Sequence, residues 1–299
     1  MSGKSVAALA ALALVACTGP QLPAAAQDHD AQMRADWAET CEDWDDWDKP
    51  APLFRVFANT WHVGTCGISV ILIAGDGEFV LIDSGTEAGA QVVLDNLRAL
   101  AIDPVDIALL LHSHEHFDHV GGLHVIADLI GGEVVTSFPA EEVISTGVAA
   151  PDDPQVGMHE PMVPVNVQRR VADGDRVQTD SLELLAIATP GHTPGALTWH
   201  WDSCDDEQCL TIAYADSLSP VSRDDYRFSD HPEYVQAYRE GIARLAALDC
   251  DVLLTPHPSA SGMRDKLVAG DLTGGMDCAA YAADRLAALE ARLAQEADQ

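Results

Sequence analysis

His112-Ser113-His114-Glu115-His116-Phe117-Asp118-His119 is the stretch on which the reading of this chain turns. Four histidines and an aspartate crowd into eight residues, directly after Ile107 to Leu111, a continuous apolar run that reads as a buried strand. A lone histidine is usually a satisfied core or surface residue. Several imidazoles beside a carboxylate are instead the donor set that zinc takes. His114 and His116 stand two apart in extended chain and so point to the same side. A turn at Phe117 then lets Asp118 and His119 face a second position, so one segment can serve two metals. Ligands at the C-terminal end of a strand open onto a loop-built cleft, where α/β sheets place their sites.

Two more histidines share this grammar of apolar strand followed by ligand. His192 lies in Thr189-Pro190-Gly191-His192-Thr193-Pro194-Gly195, and His257 in Thr255-Pro256-His257-Pro258. Upstream, strands are expected at 68–74 and 79–82 around an Asp76-Gly77 turn, with a helix over 88–101 on Val92, Val93, Leu97 and Leu100. Downstream, a helix is expected across 121–130 and a strand from Val134. The Pro-, Asp- and Gly-rich segment 146–165 reads as a long loop flanking the cleft, its Met158 and Met162 suited to varied apolar groups. Strands follow at 182–188, 196–201, 210–215 and 251–255. Helices follow at 232–248, capped by Asp230 with Pro232 in the first turn, and at 279–295. Strands then helix, twice over, describe a layered α/β sandwich without a sequence repeat. His112, His124 and His200 read as strand-end residues, and Glu115 as a non-ligand.

The 299 residues carry a formal charge of −32, which excludes nucleic acid as a partner, since phosphate binding needs clustered Lys and Arg. Lys4 followed by the apolar run Val6 to Ala16 reads as a signal peptide over residues 1–26, too short to span a membrane. Two cleavage points compete: a lipoprotein-type site that would leave a lipid anchor on Cys17, and Ala24-Ala25-Ala26 before Gln27. Either makes the chain exported and periplasmic. Residues 27–50 are an acidic arm, read as extended and anchored through Trp37, Trp44 and Trp47. Cys41, Cys66, Cys204, Cys209, Cys250 and Cys278 form an even set, as disulfides in an exported chain require. Cys204 and Cys209 flank a turn and pair on sequence alone. The spacing C-x-x-C is absent, which argues against a structural zinc. Oligomeric state is left open, with a monomer as the default.

His-x-His-x-Asp-His over 114–119 resembles the signature of the metallo-β-lactamase superfamily, and Leu81-Ile82-Asp83-Ser84-Gly85 resembles the turn upstream of it. Thr60 to Thr65, Gly191 to Gly195, Tyr214 to Ser219 and Leu253 to Pro258 together look like the third subclass of true metallo-β-lactamases, which uses no cysteine ligand. The resemblance spans roughly residues 35–297. It implies a four-layer αβ/βα sandwich as the catalytic domain, 51–299. It implies His114, His116 and His192 on a first zinc and Asp118, His119 and His257 on a second. Ser217 and Ser219 would contact a substrate carboxylate, and Asp83 would be a buried support of the metal loop. Asp216 would support that loop too. Cys41–Cys66 and Cys250–Cys278 would be the remaining disulfides. The implied reaction is hydrolysis of the amide of penicillins, cephalosporins and carbapenems by a zinc-bridged hydroxide, conferring antibiotic resistance. The alternative is another hydrolase of the same fold, a glyoxalase II-like thioesterase or a lactonase, in which Asp216 would bridge the metals.

Overall fold

The computed structural model describes residues 24–298, so most of the expected signal peptide, Cys17 included, lies outside it. Among the described residues, twelve strands form two sheets. β1 (Phe54–Phe57), β2 (Thr60–His62), β3 (Ile71–Ala74), β4 (Phe79–Ile82), β5 (Ile107–Leu111), β6 (Glu133–Ser137) and β7 (Arg169–Val171) lie side by side in chain order. β8 (Arg176–Gln178), β9 (Glu183–Ala188), β10 (Leu197–Cys204), β11 (Cys209–Tyr214) and β12 (Val252–Leu254) form the second sheet, in order 12-11-10-9-8. The helices are α1 (Ala24–Thr40), α2 (Gly89–Ala99), α3 (Phe117–Val120), α4 (Leu123–Ala127), α5 (Ala140–Thr146), α6 (Pro232–Ala246), α7 (Met263–Ala269) and α8 (Cys278–Ala297).

Strand alternation sorts the apolar side chains into layers. Ile71, Ile73, Val80, Ile82 and Leu111 face inward and pack with Ala186, Trp199, Ile212 and Tyr214 between the sheets. Leu72, Leu81 and Leu110, on the other face, pack with Val93 and Leu97 of α2 and Ile126 of α4. Ala213 and Leu253 on the outer face of the second sheet pack with Tyr238 and Ile242 of α6 and Leu289 of α8. Helix, sheet, sheet, helix is the four-layer sandwich. β4 and β5 run parallel, and their register slips between Phe79 and Val80: Phe79 pairs with Ile107 but Val80 with Leu109. The extra residue, Ala108, lets Ile107 and Leu110 share the outer layer although they are three apart.

The arm is not extended. It opens as the 17-residue helix α1. Met33, Trp37 and Cys41 recur every four residues, and that stripe packs on the inter-sheet core. Only Trp37 anchors: it is 1% exposed, whereas Trp44 and Trp47 are 69% and 40% exposed. The helix expected at 121–130 begins earlier, inside the histidine-rich segment, as α3, and resumes after Gly121-Gly122 as α4. Pro232 opens α6 as expected, but its cap position is His231 and no side chain caps it; Asp230 ends a preceding 3-10 turn. β1, β2, β7 and β8 were not foreseen, being three or four residues each and too short to show a period. His112 follows β5, while His124 lies in α4 and His200 in the middle of β10, not at strand ends. The six cysteine sulfurs pair as 41–66, 204–209 and 250–278, with Cys204 and Cys209 opposite each other where β10 meets β11. Among the described residues, no helix is long and apolar enough to cross a membrane.

Candidate metal centre

Asp83 follows β4 and takes a left-handed backbone, φ 68°, uncommon for a non-glycine residue and usually held by its surroundings. What holds it is a full set of donors. Its buried carboxylate accepts from the Ser113 amide at 2.6 Å, the Ser113 hydroxyl at 2.8 Å and the Tyr214 hydroxyl at 2.7 Å. One carboxylate thus fixes the histidine-rich segment, as it leaves β5, to both sheets. Glu115 fixes the same segment to the turn bearing His192, accepting from Thr193 Oγ1 at 2.7 Å and the Gly195 amide at 2.8 Å. Its burial pushes its carboxyl up to about 7, against the pull of the Thr193 hydroxyl. In that turn Gly191 has φ 153° with the Tyr238 ring against it, and a Cβ would lie 2.2 Å from a ring carbon, so only glycine lets His192 reach the centre.

Five histidines and Asp118 converge here. His116 Nδ1 lies 3.2 Å from His192 Nε2, and His114 Nε2 is buried without a hydrogen-bond partner. One ligand atom from each of these three residues falls within 4.8 Å of the others. Beside them Asp118 Oδ2 lies 3.0 Å from His119 Nε2 and 3.4 Å from His257 Nε2. The rings of His114 and His119, one from each group, are 4.2 Å apart between centroids.

Every one of these imidazoles turns its other nitrogen toward an oxygen. His116 Nε2 meets Asp153 Oδ2 at 3.1 Å, His192 Nδ1 the Ser219 carbonyl at 3.0 Å, and His257 Nδ1 the Gly67 carbonyl at 3.3 Å. His114 Nδ1 lies 2.9 Å from Asp216 Oδ1, in contact although off the line of a hydrogen bond, and His119 Nδ1 faces Asp83 Oδ2 at 3.5 Å. A neutral imidazole whose outer nitrogen holds the proton presents a lone pair on its inner one. Burial, and then the neighbouring imidazoles, hold His114 and His192 well below the ordinary histidine range. Burial works against Asp118 as an anion, yet His119 and His257 keep its carboxyl well below the usual carboxylate range. Converging imidazole and carboxylate groups, all buried but the half-buried His257, are a donor set that fits metal binding.

All six sequence-predicted ligands therefore meet, with Asp83 and Asp216 behind them. The two serines differ. Ser217 Oγ is buried without a partner, whereas Ser219 Oγ lies 2.9 Å from His192 Nδ1. A cavity of about 300 Å³ opens over the centre, lined by Asp118, His192, Ser217 and Ser219 and walled by Trp44 and Trp47, with Arg285 of α8 at its edge. The Trp47 ring lies 5.6 Å from Phe117 and 5.8 Å from His257. The segment 146–165 lies beside the cavity through Gln155 and His159, but Met158 is exposed and Met162 lines a separate hollow behind His116. Sequence reasoning missed Asp153, Glu115's bracing role, Gln155, Arg285 and the cavity position of the two tryptophans. Only the paired tryptophans beside a predicted site loop offered a signal.

A sandwich of two sheets between helices, with histidine and aspartate ligands at the strand ends, defines a metal-binding hydrolase. The sequence profile described as the metallo-beta-lactamase superfamily matches residues 63–206. The chain is 50% identical to the solved MIM-2 metallo-beta-lactamase, with a TM-score of 0.83, covering 88% of this chain and 98% of that one. It is 35% identical to MEM-A1, a subclass B3 metallo-beta-lactamase from a soil metagenome library, with a TM-score of 0.80 over 85% and 99% of the two chains. A more distant relative, the hydroxyacylglutathione hydrolase of Aeromonas salmonicida, is 31% identical over 129 residues, 43% of this chain and 41% of that protein. The chain belongs to the metallo-β-lactamase superfamily and, within it, to the third subclass, B3.

Proposed function

We infer that this chain hydrolyses the amide bond of β-lactams, penicillins, cephalosporins and carbapenems alike, as a two-zinc enzyme. The observation that carries the reading is the pair of converging donor groups, His114, His116 and His192 beside Asp118, His119 and His257, at the floor of an open cavity. When bound, zinc supplies Lewis acidity, lowering the pKa of water to about 7 and polarising a carbonyl oxygen. The chain's own groups do the rest. Asp118, anionic and aimed at both His119 and His257, anchors the second position and can orient a proton on the attacking water. Ser217 offers a hydroxyl without a protein partner to a substrate carboxylate. Ser219 acts through His192. Trp44 and Trp47 give apolar substituents a wall to lie against.

The rival reading, a thioesterase or lactonase, has support in the hydroxyacylglutathione hydrolase likeness. It requires Asp216 to bridge the metals, and here Asp216 faces the outer nitrogen of His114, away from the point of convergence. Steady-state kcat/KM for a penicillin, a cephalosporin, a carbapenem, a thioester and a lactone tests the choice; β-lactams are expected to lead by a wide margin, and dominant thioester or lactone turnover would reverse it. The same reading makes the mature chain a periplasmic monomer freed of residues 1–26, with its three cysteine pairs oxidised, and makes antibiotic resistance its consequence in the cell.

A further inference from the structure

The segment 146–165 carries a buried carboxylate. Asp153 is 2% exposed although Pro151 and Asp152 just before it are exposed. A buried carboxylate is costly unless paired, and this one has two kinds of partner. Its Oδ2 and Oδ1 lie 3.1 and 3.4 Å from His116 Nε2, and Oδ1 accepts from the Gln155 amide at 2.7 Å. Its own backbone closes the local turns, its amide on the Ala150 carbonyl at 3.1 Å and its carbonyl accepting from Val156 at 3.0 Å. Gln155 lines the cavity, and the neighbouring Pro154 carbonyl accepts from the Arg223 amide at 3.0 Å. So one side chain joins a histidine of the centre to the turn that builds part of the cavity wall.

We propose that Asp153 is a positioning residue that couples occupancy of the first metal position to the order of this wall. The inference rests on the reading of His116 as a metal ligand through Nδ1. A metal there fixes the ring's orientation and leaves the remaining proton on Nε2, where Asp153 accepts it. The carboxylate, so held, presents its other lone pairs to the Gln155 amide. Coupling of this kind is reciprocal: metal orders the loop, and a loop without its carboxylate binds metal less well.

The test is hydrogen–deuterium exchange over residues 148–162 of the mature protein, chelator-treated and then with added zinc, alongside zinc affinity by competition. In the wild type, zinc is expected to slow exchange in this segment at least about tenfold. Asp153→Ala should abolish that response and weaken one of the two zinc ions about 10–100-fold, leaving the other unchanged. Asp153→Asn, which keeps an acceptor, should restore part of both, and Asp152→Ala, exposed next door, should alter neither. A wild-type loop that ignores zinc, or an Asp153→Ala protein that holds both ions as tightly as the wild type, overturns the coupling. Elemental analysis of the same wild-type sample tells the two kinds of failure apart. Fewer than two zinc ions would remove the metal reading and the coupling together. Two ions with an unresponsive loop would remove the coupling alone. None of these readouts depends on β-lactam turnover.

Discussion

Asp216→Asn tests, at one residue, whether the carboxylate supports a ligand or is one. Asp216 is fully buried and touches His114 on the nitrogen that points away from the centre. The variant is expected to keep two zinc ions, bound about 10–100-fold more weakly, and to retain measurable β-lactam turnover; elemental analysis at saturating zinc that found a single ion would reverse the assignment. The serines give a second single-residue test. Ser217→Ala should raise KM for carboxylate-bearing β-lactams by roughly 10–100-fold, the worth of about 1.5–3 kcal/mol for a hydrogen bond to a charged group, with kcat little changed. Ser219→Ala should lower zinc affinity as well, because its hydroxyl also contacts His192. The six candidate ligands stood out in sequence because imidazole and carboxylate are donors that zinc takes and each stands where an apolar run stops. Asp153 and Glu115 were not: a chain with 48 acidic residues gives no sign of which carboxylates fold inward.

Among the elements, the end of α8 depends on Glu296. Its buried carboxylate accepts from the amides of Phe228 at 3.0 Å and Ser229 at 2.8 Å and from Arg292 Nε at 2.7 Å, tying the helix to the turn before α6. Burial opposes its charge, but those donors win and bring its carboxyl from the ordinary 4.5 down to about 2. A depressed carboxyl stabilises the fold above its unfolded pKa and loses that effect as pH falls through its folded one. Glu296→Gln should therefore be less stable than the wild type at pH 7, by about 1–3 kcal/mol, and the gap should shrink between pH 4.5 and about 2; a gap constant across that range in denaturant titrations would count against the role. The long strands and α2, α6 and α8 were readable from periodicity, since each covers at least two turns or pleats. α1 was hidden by its charges: its apolar stripe, Met33, Trp37 and Cys41, runs through a stretch so acidic that it reads as an extended arm held only by its tryptophans.

For the molecule as a whole, metal and charge are the two terms expected to move stability. A ligand bound only by the folded state stabilises it by about 2.7 kcal/mol at a free concentration 100 times its Kd. For a domain of this size that corresponds to roughly 5–10 °C in Tm per ion. Chelation should lower the melting temperature by such an amount and abolish activity, with zinc restoring both, while reagents that acylate a serine nucleophile leave activity untouched. The net charge of −32 adds self-repulsion that salt screens, so Tm should rise as sodium chloride goes from about 10 mM to 1 M, where the Debye length falls from about 30 to 3 Å. A flat or falling Tm would show that the acidic surface is spread too widely to matter.

The bond between Cys41 and Cys66 joins the base of the arm to the segment after Trp61, and the stretch it closes carries Trp44 and Trp47 to the edge of the cavity. The donor atoms of the centre come from elsewhere in the chain. Redox environment should therefore act on the two parts unequally. Made in a reducing cytosol, the enzyme would assemble its zinc site yet lack the cross-link that shapes the entrance. Such a preparation, or the Cys41→Ser/Cys66→Ser protein, should bind zinc normally, melt lower and show raised KM with kcat largely kept, and oxidation of the wild type should recover the difference. The compartment in which the chain is folded would then be written into its substrate affinity, and a zinc assay alone would never reveal it.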